Sequence, residues 1–384
     1  MSERRIAIAG AGPVGLLCAL CALADGLEPR VYERRPQPRA GTRSIGIHPP
    51  SLEILERLGL AQRFIDRGMR VRKGLAFGAS GPLGTVDFSS CPGRHRYVLT
   101  IPQSDTEALL REALQERAPG SLVEGQEIRA SYPTRHGVAL QLRDAQGQAG
   151  DAHAAFLIAC DGKHSVVRSA GKIAFEGGPY EGRYAMGDFP DATSFGSSAA
   201  IFLTRGGLVE SFPLPGGLRR WVIRRDGDAS DDPDVDEMVD TVMRRTGHRL
   251  PGAEAGLTGF RAERYLASSL SANGVALAGD AAHVVSPIGG QGMNLGWMGA
   301  ADLVSEFARA LRTRESIQSA LARNASRRRR MARAAARRAE LNMWLGGPTE
   351  RPALRERMLQ GLLQQPIAGV LATLFTMRGL QLGV

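Results

Sequence analysis

The chain is short of the residues and runs that mark membrane, secreted, metal-binding or hydrolytic proteins. No run of about 18 apolar residues occurs, so no membrane span is expected. Met1-Ser-Glu-Arg-Arg5 leads straight into an apolar strand pattern rather than into a signal sequence. Only four cysteines are present, which fits a reducing compartment and an expected cytoplasmic location. Cys18 and Cys21 have the spacing of a redox pair, yet they fall inside a helical run with no second pair of ligands nearby and read as core residues. His48, His95, His136, His153, His164, His248 and His283 are scattered without ligand spacing, so no metal centre is expected. No Gly-x-Ser-x-Gly turn is there to present a nucleophilic serine.

Glycine is abundant, with 47 residues, and two glycine-rich segments carry the chemistry. In the first, the apolar run Ile6-Ala-Ile-Ala9 is followed by Gly10-x-Gly12-Pro13-Val14-Gly15 and a helical run from Leu16. Strand, turn and helix in that order suit a dinucleotide: Gly10 allows the tight turn, Gly12 lets a pyrophosphate approach, and Gly15 lets helix and strand pack. A second strand, Arg30-Val-Tyr32, ends at Glu33, about 20 residues on, where an acid holds ribose hydroxyls and disfavours a 2′-phosphate. Arg34 is placed in the same site. Far along the chain, Val275-Ala-Leu-Ala278 reads as a buried strand, Gly279 turns the chain, and Asp280 stands ready to accept from polyol hydroxyls. Gly289-Gly290-Gln291-Gly292 then precede a helical run from about Met293 to Leu311, a second helix N-terminus. Two such segments so far apart suggest one extended ligand gripped from both ends. FAD has the ribityl chain for the second site and NAD does not.

These residues resemble the FAD-dependent aromatic hydroxylase family, single-component flavoprotein monooxygenases with the p-hydroxybenzoate hydroxylase fold. Its three motifs are matched by Gly10 to Gly15, by Asp161-Gly162 with Ser165 and Arg168, and by Gly279-Asp280 with Pro287 and Gly290-Gln-Gly292-Met293-Asn294. The resemblance implies non-covalent FAD, with Arg43 at the diphosphate or ring and Gln103 at the flavin. It also implies the Ile128 backbone at the adenine, Asp280 at the ribityl chain or pyrophosphate, and Gly292, Met293 and Asn294 against the isoalloxazine. Pro287 and Arg43 take supporting roles, and no catalytic base is assigned. His48, Tyr184, Arg205, Trp221 and Arg224 are candidates for the substrate pocket. NAD(P)H is expected to reduce the flavin from a transient site, for which Arg168 and Asp161-Gly162 are candidates, because the chain shows no second dinucleotide fold. The family chemistry is addition of O2 at flavin C4a and transfer of one oxygen from the hydroperoxyflavin to an aromatic or polycyclic substrate, here placed in secondary metabolism. A prenyl-reducing flavin reductase and a flavin halogenase share the fold, but the halogenase Trp-x-Trp-x-Ile-Pro segment is missing. The family often has Asp-Ala after its Gly-Met-Asn turn, where this chain has Gly299-Ala-Ala-Asp302. Its length matches the compact branch without a thioredoxin-like domain.

The expected fold class is α/β with α+β insertions. Residues 1–70, 101–174 and 272–310 form a discontinuous Rossmann-like FAD-binding domain, and 71–100 with 175–271 an inserted, mostly antiparallel substrate-binding sheet. Within that sheet Pro213 to Gly217 is expected to turn a hairpin into Arg219–Arg224, and Ser104 with Glu107 to cap a helix. Residues 311–384 form a helical C-terminus. The arginine-rich run from Arg323 to Glu340 supplies much of the +10 net charge and reads first as a solvated helix face. Nucleic-acid binding is the different-class alternative, but the run lacks aromatics for stacking and no nucleic-acid module is visible. An acidic carrier domain is a candidate partner for it, and the apolar tail from Pro366 is expected to pack on the body or in a homodimer interface.

Overall fold

The computed structural model describes residues 3–38, 44–225, 233–252, 256–364 and 367–380. Its first sheet begins with the strand Arg5–Ala9, in which Ile6 to Ala9 are all buried. Apolar side chains on both faces put a strand at the centre of a parallel sheet. The order in this six-stranded sheet is Ser271–Ala272, Val275–Leu277, Phe156–Ala159, Arg5–Ala9, Glu28–Glu33, Leu122–Glu124. Ile6 to Ala9 run parallel to Phe156 to Ala159, which in turn run parallel to Val275 to Leu277. The carboxyl ends of these three strands therefore lie side by side, and they deliver Gly10, Asp161 and Gly279 to one edge. That edge is where ligands bind open parallel sheets.

Helices cover this sheet. Pro13–Ala24 packs against Gln291–Thr313, and Gln291–Thr313 against Ile317–Leu345. Small residues allow the approach: a Cβ on Gly296 would stand 2.7 Å from Val14 and 3.2 Å from the Gly279 Cα. The helix Gln103–Arg117 starts two residues earlier than the capping pattern of Ser104 and Glu107 suggests. Pro102 is the N-cap, without a side-chain cap bond, and Gln103 Nε2 donates instead to Glu107 Oε1 at 2.8 Å. Proline at the boundary fixes φ and leaves Ser104 already inside the first turn.

The second large sheet has eight strands, in the order His283–Val284, Thr258–Ala267, Phe175–Pro190, Leu218–Arg224, Gly207–Leu214, Ala199–Thr204, Lys73–Gly78, Gly81–Asp87. The expected hairpin is present, Ser211 facing Trp221, with Gly216 and Gly217 at positive φ in its turn. All its pairings are antiparallel except Ala199–Thr204 with Lys73–Gly78. That parallel pair joins residues far apart in the chain, Ala199 facing Gly74, and sequence alternation could not reveal it. Two small sheets were not foreseen: Gln126–Thr134 with Gly137–Asp144 and Ala149–Ala154, and Gly46–Ile47 with Val98–Thr100 and Met69–Val71.

The arginine run departs from a plain solvated face. Arg328 is buried and donates to the Leu277 carbonyl at 2.6 Å, while Arg327 reaches Asp302 at 2.9 Å. Burial holds the Arg328 guanidinium down to about 10. Ala332, Ala335, Ala336 and Ala339 line the packed side of this helix, so its short residues seat it on the body and carry Arg328 inward. No single helix among the described residues is long and apolar enough to cross a membrane.

Candidate functional site: a cavity between the two sheets

A cavity of about 1150 Å³ runs from the carboxyl edge of the parallel sheet to the inner face of the eight-stranded sheet. That exceeds the usual range for one drug-sized ligand. Gly10, Gly12, Pro13, Val14, Glu33, Arg34, Gln103, Ile128, Asp161 and Gly162 line one end. Asp280, Pro287, Gly290, Gly292 and Met293 line its middle. The motifs read as one extended site thus share one cavity.

Gly10 takes φ 93°, and the Gly10 carbonyl lies where a Gly15 side chain would be, 1.9 Å from a Cβ built there. Gly15 faces the strand and not the cavity. Gly12 has no atom within 4 Å on its Cβ side. It is the N-cap of Pro13–Ala24 without a side-chain cap bond, and Gly290 is the equally uncapped N-cap of Gln291–Thr313. Two helix N-termini therefore open into the cavity with unfilled donors, a setting for anionic and polarised groups.

Glu33 is buried. Its Oε2 accepts from Ala11 N at 2.8 Å, and its Oε1 accepts from Arg35 N at 3.1 Å and from Arg35 Nε at 2.9 Å. Burial pushes the carboxyl up, but those donors outweigh it and its pKa is lowered. The acid therefore also pins the glycine loop to the second strand. Asp161 Oδ2 accepts from Val167 N at 3.2 Å, while its Oδ1 is buried without a partner, and burial raises its pKa. Asp280 is exposed to the cavity in a motif whose neighbours Gly279 and Ala281 are buried. An orphaned acceptor, open glycines and uncapped helix ends fit FAD.

Several expected roles come out differently. Asn294 is fully buried and away from the cavity wall: its Nδ2 donates to the Gly46 and Gly290 carbonyls at 2.8 and 2.9 Å, and its Oδ1 accepts from His48 N at 2.8 Å. It ties the glycine turn to Gly46–Ile47 rather than facing a ring. Arg168, a candidate for a transient nicotinamide, is buried. It donates to the Ala281 and Lys163 carbonyls at 3.0 and 2.7 Å and lies over the Phe175 ring, so it bridges two motifs and presents no free charge. Arg43 lies outside the described residues. Of the pocket candidates only His48 lines the cavity. Trp221 points to the other face of its strand, against Phe202 and His248, because neighbours in a strand alternate. Tyr184 stacks on Phe260, and Arg205 and Arg224 do not reach the lining.

Residues that were not singled out finish the wall. Leu208, Glu210, Phe212, Arg220, Val222 and Met186 face inward from the sheet, and Arg338, Leu341, Trp344, Met358, Leu359 and Phe375 from the C-terminal helices. The described tail packs on the body: Ala368 and Ala372 are buried, and Arg378 reaches Glu53 at 2.8 Å. Arg220 is held by Asp188 through two bonds of 2.6 and 2.7 Å. No cluster of three metal-ligating groups occurs among the described residues.

Two buried histidines make the site acid-sensitive. Burial pushes His48 down to about 4, and burial with the nearby Arg328 charge pushes His283 down to about 3. In the unfolded chain both titrate near 6.5. As pH falls through about 6.5 the unfolded chain takes up protons that the folded chain refuses, so stability is full above 6.5 and declines toward pH 4 and below. The expected loss by the bottom of its window is roughly 3 kcal/mol for His48 and roughly 5 kcal/mol for His283. The melting temperature should fall between pH 6.5 and 4 more steeply in the wild type than in His283→Leu, and equal slopes would contradict the assignment.

Residues 3–339 match a family model described as an FAD binding domain. The chain is 30% identical over 299 residues to a rifampicin monooxygenase of Streptomyces venezuelae, covering 76% of this chain and 61% of that protein. It is 28% identical over 319 residues to a pentachlorophenol 4-monooxygenase of Sphingobium chlorophenolicum, covering 79% and 57%. It thus spans roughly three fifths of the length of these curated relatives. The structure of the p-nitrophenol 4-monooxygenase of Pseudomonas putida superposes with a TM-score of 0.86 over 98% of both chains at 21% identity, a likeness of fold. With two uncapped helix ends, open glycines and Asp280 on one cavity, and the family model matched over residues 3–339, the chain belongs to the FAD-dependent aromatic hydroxylase family.

Proposed function

We propose that the protein is an NAD(P)H-consuming, FAD-dependent monooxygenase that hydroxylates an aromatic or polycyclic small molecule. The observation that carries this reading is the continuity of the cavity, from polar glycine-rich loops that suit FAD to an apolar sheet wall that suits a ring system. Relatives named for pentachlorophenol and rifampicin support an aromatic substrate, and the second of these names favours a large secondary metabolite. FAD reduced by NAD(P)H supplies one oxygen atom derived from O2. The chain's own residues hold and shield it. Gly12, Glu33, Arg34 and Ile128 take the adenosine and pyrophosphate end, while Asp161, Asp280, Pro287, Gly290, Gly292, Met293 and Gln103 take the remainder. The C-terminal helices and the sheet exclude water, without which reduced flavin in oxygen releases peroxide. Reduced nicotinamide visits the same cavity transiently, and the enzyme works in the cytoplasm.

The test is incubation of the flavin-loaded protein with NAD(P)H, labelled O2 and a panel of phenols and polycyclic aromatics. Labelled oxygen in a product supports the reading. Oxidation of NAD(P)H with peroxide as the only product across the panel counts against it. Asp280→Ala is expected to lower FAD occupancy while the apo protein stays soluble, checked by the flavin-to-protein absorbance ratio. Full occupancy would remove Asp280 from the site.

A further inference from the structure

The inner face of the eight-stranded sheet is largely apolar where it walls the cavity, and among the described residues it brings two acids there: Glu263, held by Lys163, and Glu210. Glu210 lies in the middle of the strand Gly207–Leu214, flanked in register by Ile201 on one neighbour and Val222 on the other. Strand alternation puts its side chain on the same face as Leu208 and Phe212, and all of these residues line the cavity. Glu210 is only 6% exposed. No donor among the described residues bonds its carboxyl, and burial alone acts on it, pushing it up to about 7. Of the other charged groups this sheet brings to the cavity, Arg220 is committed to Asp188 and Glu263 to Lys163, while Arg261 is exposed.

A buried carboxyl without a partner costs a fold several kcal/mol relative to an apolar residue of similar size. Such a group is explained when a ligand brings the missing donor. We propose that Glu210 is the catalytic proton acceptor for a hydroxyaromatic substrate, whose hydroxyl it bonds when the ring lies against Leu208, Phe212 and Val222. This rests on the monooxygenase reading above. In the step, the substrate O–H bond breaks, the proton forms an O–H bond on the Glu210 carboxylate, and the electron pair stays on the substrate oxygen. The ring becomes more electron-rich and a better acceptor of an electrophilic oxygen atom. The groups facing Glu210 do not take its place. Ile201 and Val222 are apolar, and the Tyr184 hydroxyl, on the strand beyond that of Val222 and raised mainly by burial and further by Glu210, stays protonated at neutral pH.

The test compares 1-naphthol with its methyl ether, which keeps the ring and loses the donor. Binding is read by flavin fluorescence in the holoprotein, for the wild type, Glu210→Gln and Glu210→Leu. The wild type is expected to prefer the naphthol at least tenfold. Glu210→Leu is expected to lose that preference and to melt no lower than the wild type, since it removes an unsatisfied buried acid. Glu210→Gln keeps an acceptor oxygen but takes no proton, so it should retain most of the preference while turnover of the naphthol falls at least tenfold at little change in KM. An unchanged preference in Glu210→Leu, binding of neither compound or of both equally by the wild type, a lower melting temperature for Glu210→Leu, or full turnover in Glu210→Gln would overturn the proposal. If the preference depends on Glu210 but no labelled oxygen enters any product, the Glu210 contact stands and the monooxygenase reading falls. Labelled product at an undiminished rate from Glu210→Gln does the reverse.

Discussion

Gly15→Ala protein is expected to melt well below the wild type and to bind no flavin, whereas Gly12→Ala is expected to keep the apo melting temperature and lose the flavin all the same. The two glycines stand three residues apart in one turn, yet they face opposite ways. A Cβ on Gly15 would sit 1.9 Å from the Gly10 carbonyl oxygen and 3.1 Å from its carbon. Both are backbone atoms, so relief requires the helix Pro13–Ala24 to move off the strand Arg5–Ala9. Overpacking a rigid core costs typically about 1 to 3 kcal/mol, and a contact this short against backbone belongs at or above the top of that range. Gly12 has extended backbone, φ −71° and ψ 178°, with nothing within 4 Å of a Cβ. Alanine there is free of strain in the empty protein and intrudes only on a ligand that approaches the loop. FAD affinity should fall at least a hundredfold, about 2.8 kcal/mol. Calorimetry of the flavin-stripped proteins and FAD titration by fluorescence separate the two effects. An unchanged FAD affinity in Gly12→Ala would mean that the pyrophosphate takes another path.

Arg355→Met should loosen the roof of the cavity, at about 3 to 5 kcal/mol, the range for breaking a buried charged network. Arg355 sits on the helix Pro352–Leu362 and spreads its fork over four carbonyls. Nη1 donates to Leu345 and Gly347 at 3.1 and 2.7 Å, and Nη2 to Leu203 and Thr204 at 2.7 and 2.8 Å. The next residue, Glu356, accepts from Ala79 N at 2.6 Å and bonds the Ser80 hydroxyl. The pair staples the C-terminal helices to one edge of the large sheet, at strand Ala199–Thr204 and at the turn between Lys73–Gly78 and Gly81–Asp87, over the cavity that Met358, Leu359 and Leu362 line. Methionine keeps the stem but leaves four carbonyls short of donors, and lysine lacks the planar fork to serve them together. Hydrogen exchange in residues 352–362 should accelerate in Arg355→Met, with a lower melting temperature and more peroxide released per NAD(P)H if the protein turns over as proposed. Unchanged exchange in that helix would show that the staple does not hold the roof.

The parts of the site that were legible in the sequence are those built from short contiguous chain. Gly10, Gly12 and Gly15 are dictated by a strand, a turn and a helix within a dozen residues, and Glu33 by the next strand of the same unit. Gly279-Asp280 and the turn at Gly290 follow the same logic. Such motifs carry their own backbone requirements, positive φ at Gly10 or an open Cβ side at Gly12, and no distant contact is needed to read them. Parity along a strand is equally local: Leu208, Glu210 and Phe212 alternate onto one face, so an acid among apolar neighbours is visible in the order of residues alone.

The tertiary structure decided which way each group points and what covers the cavity. Asn294 and Arg168 carry the residue types of ligand contacts, yet carbonyls of Gly46 and Ala281, remote in sequence, claim their donors. Arg328 sits in a run that looks solvated until the alanines beside it bring its helix against the body and Leu277 within reach. The cavity wall joins strands 73–78 and 199–204, and its roof comes from helices beyond residue 317. Local sequence specifies turns and helix ends because their energetics are settled within a few residues. Burial of a polar side chain is settled by whichever acceptor the whole fold brings to it, and only the assembled chain fixes that.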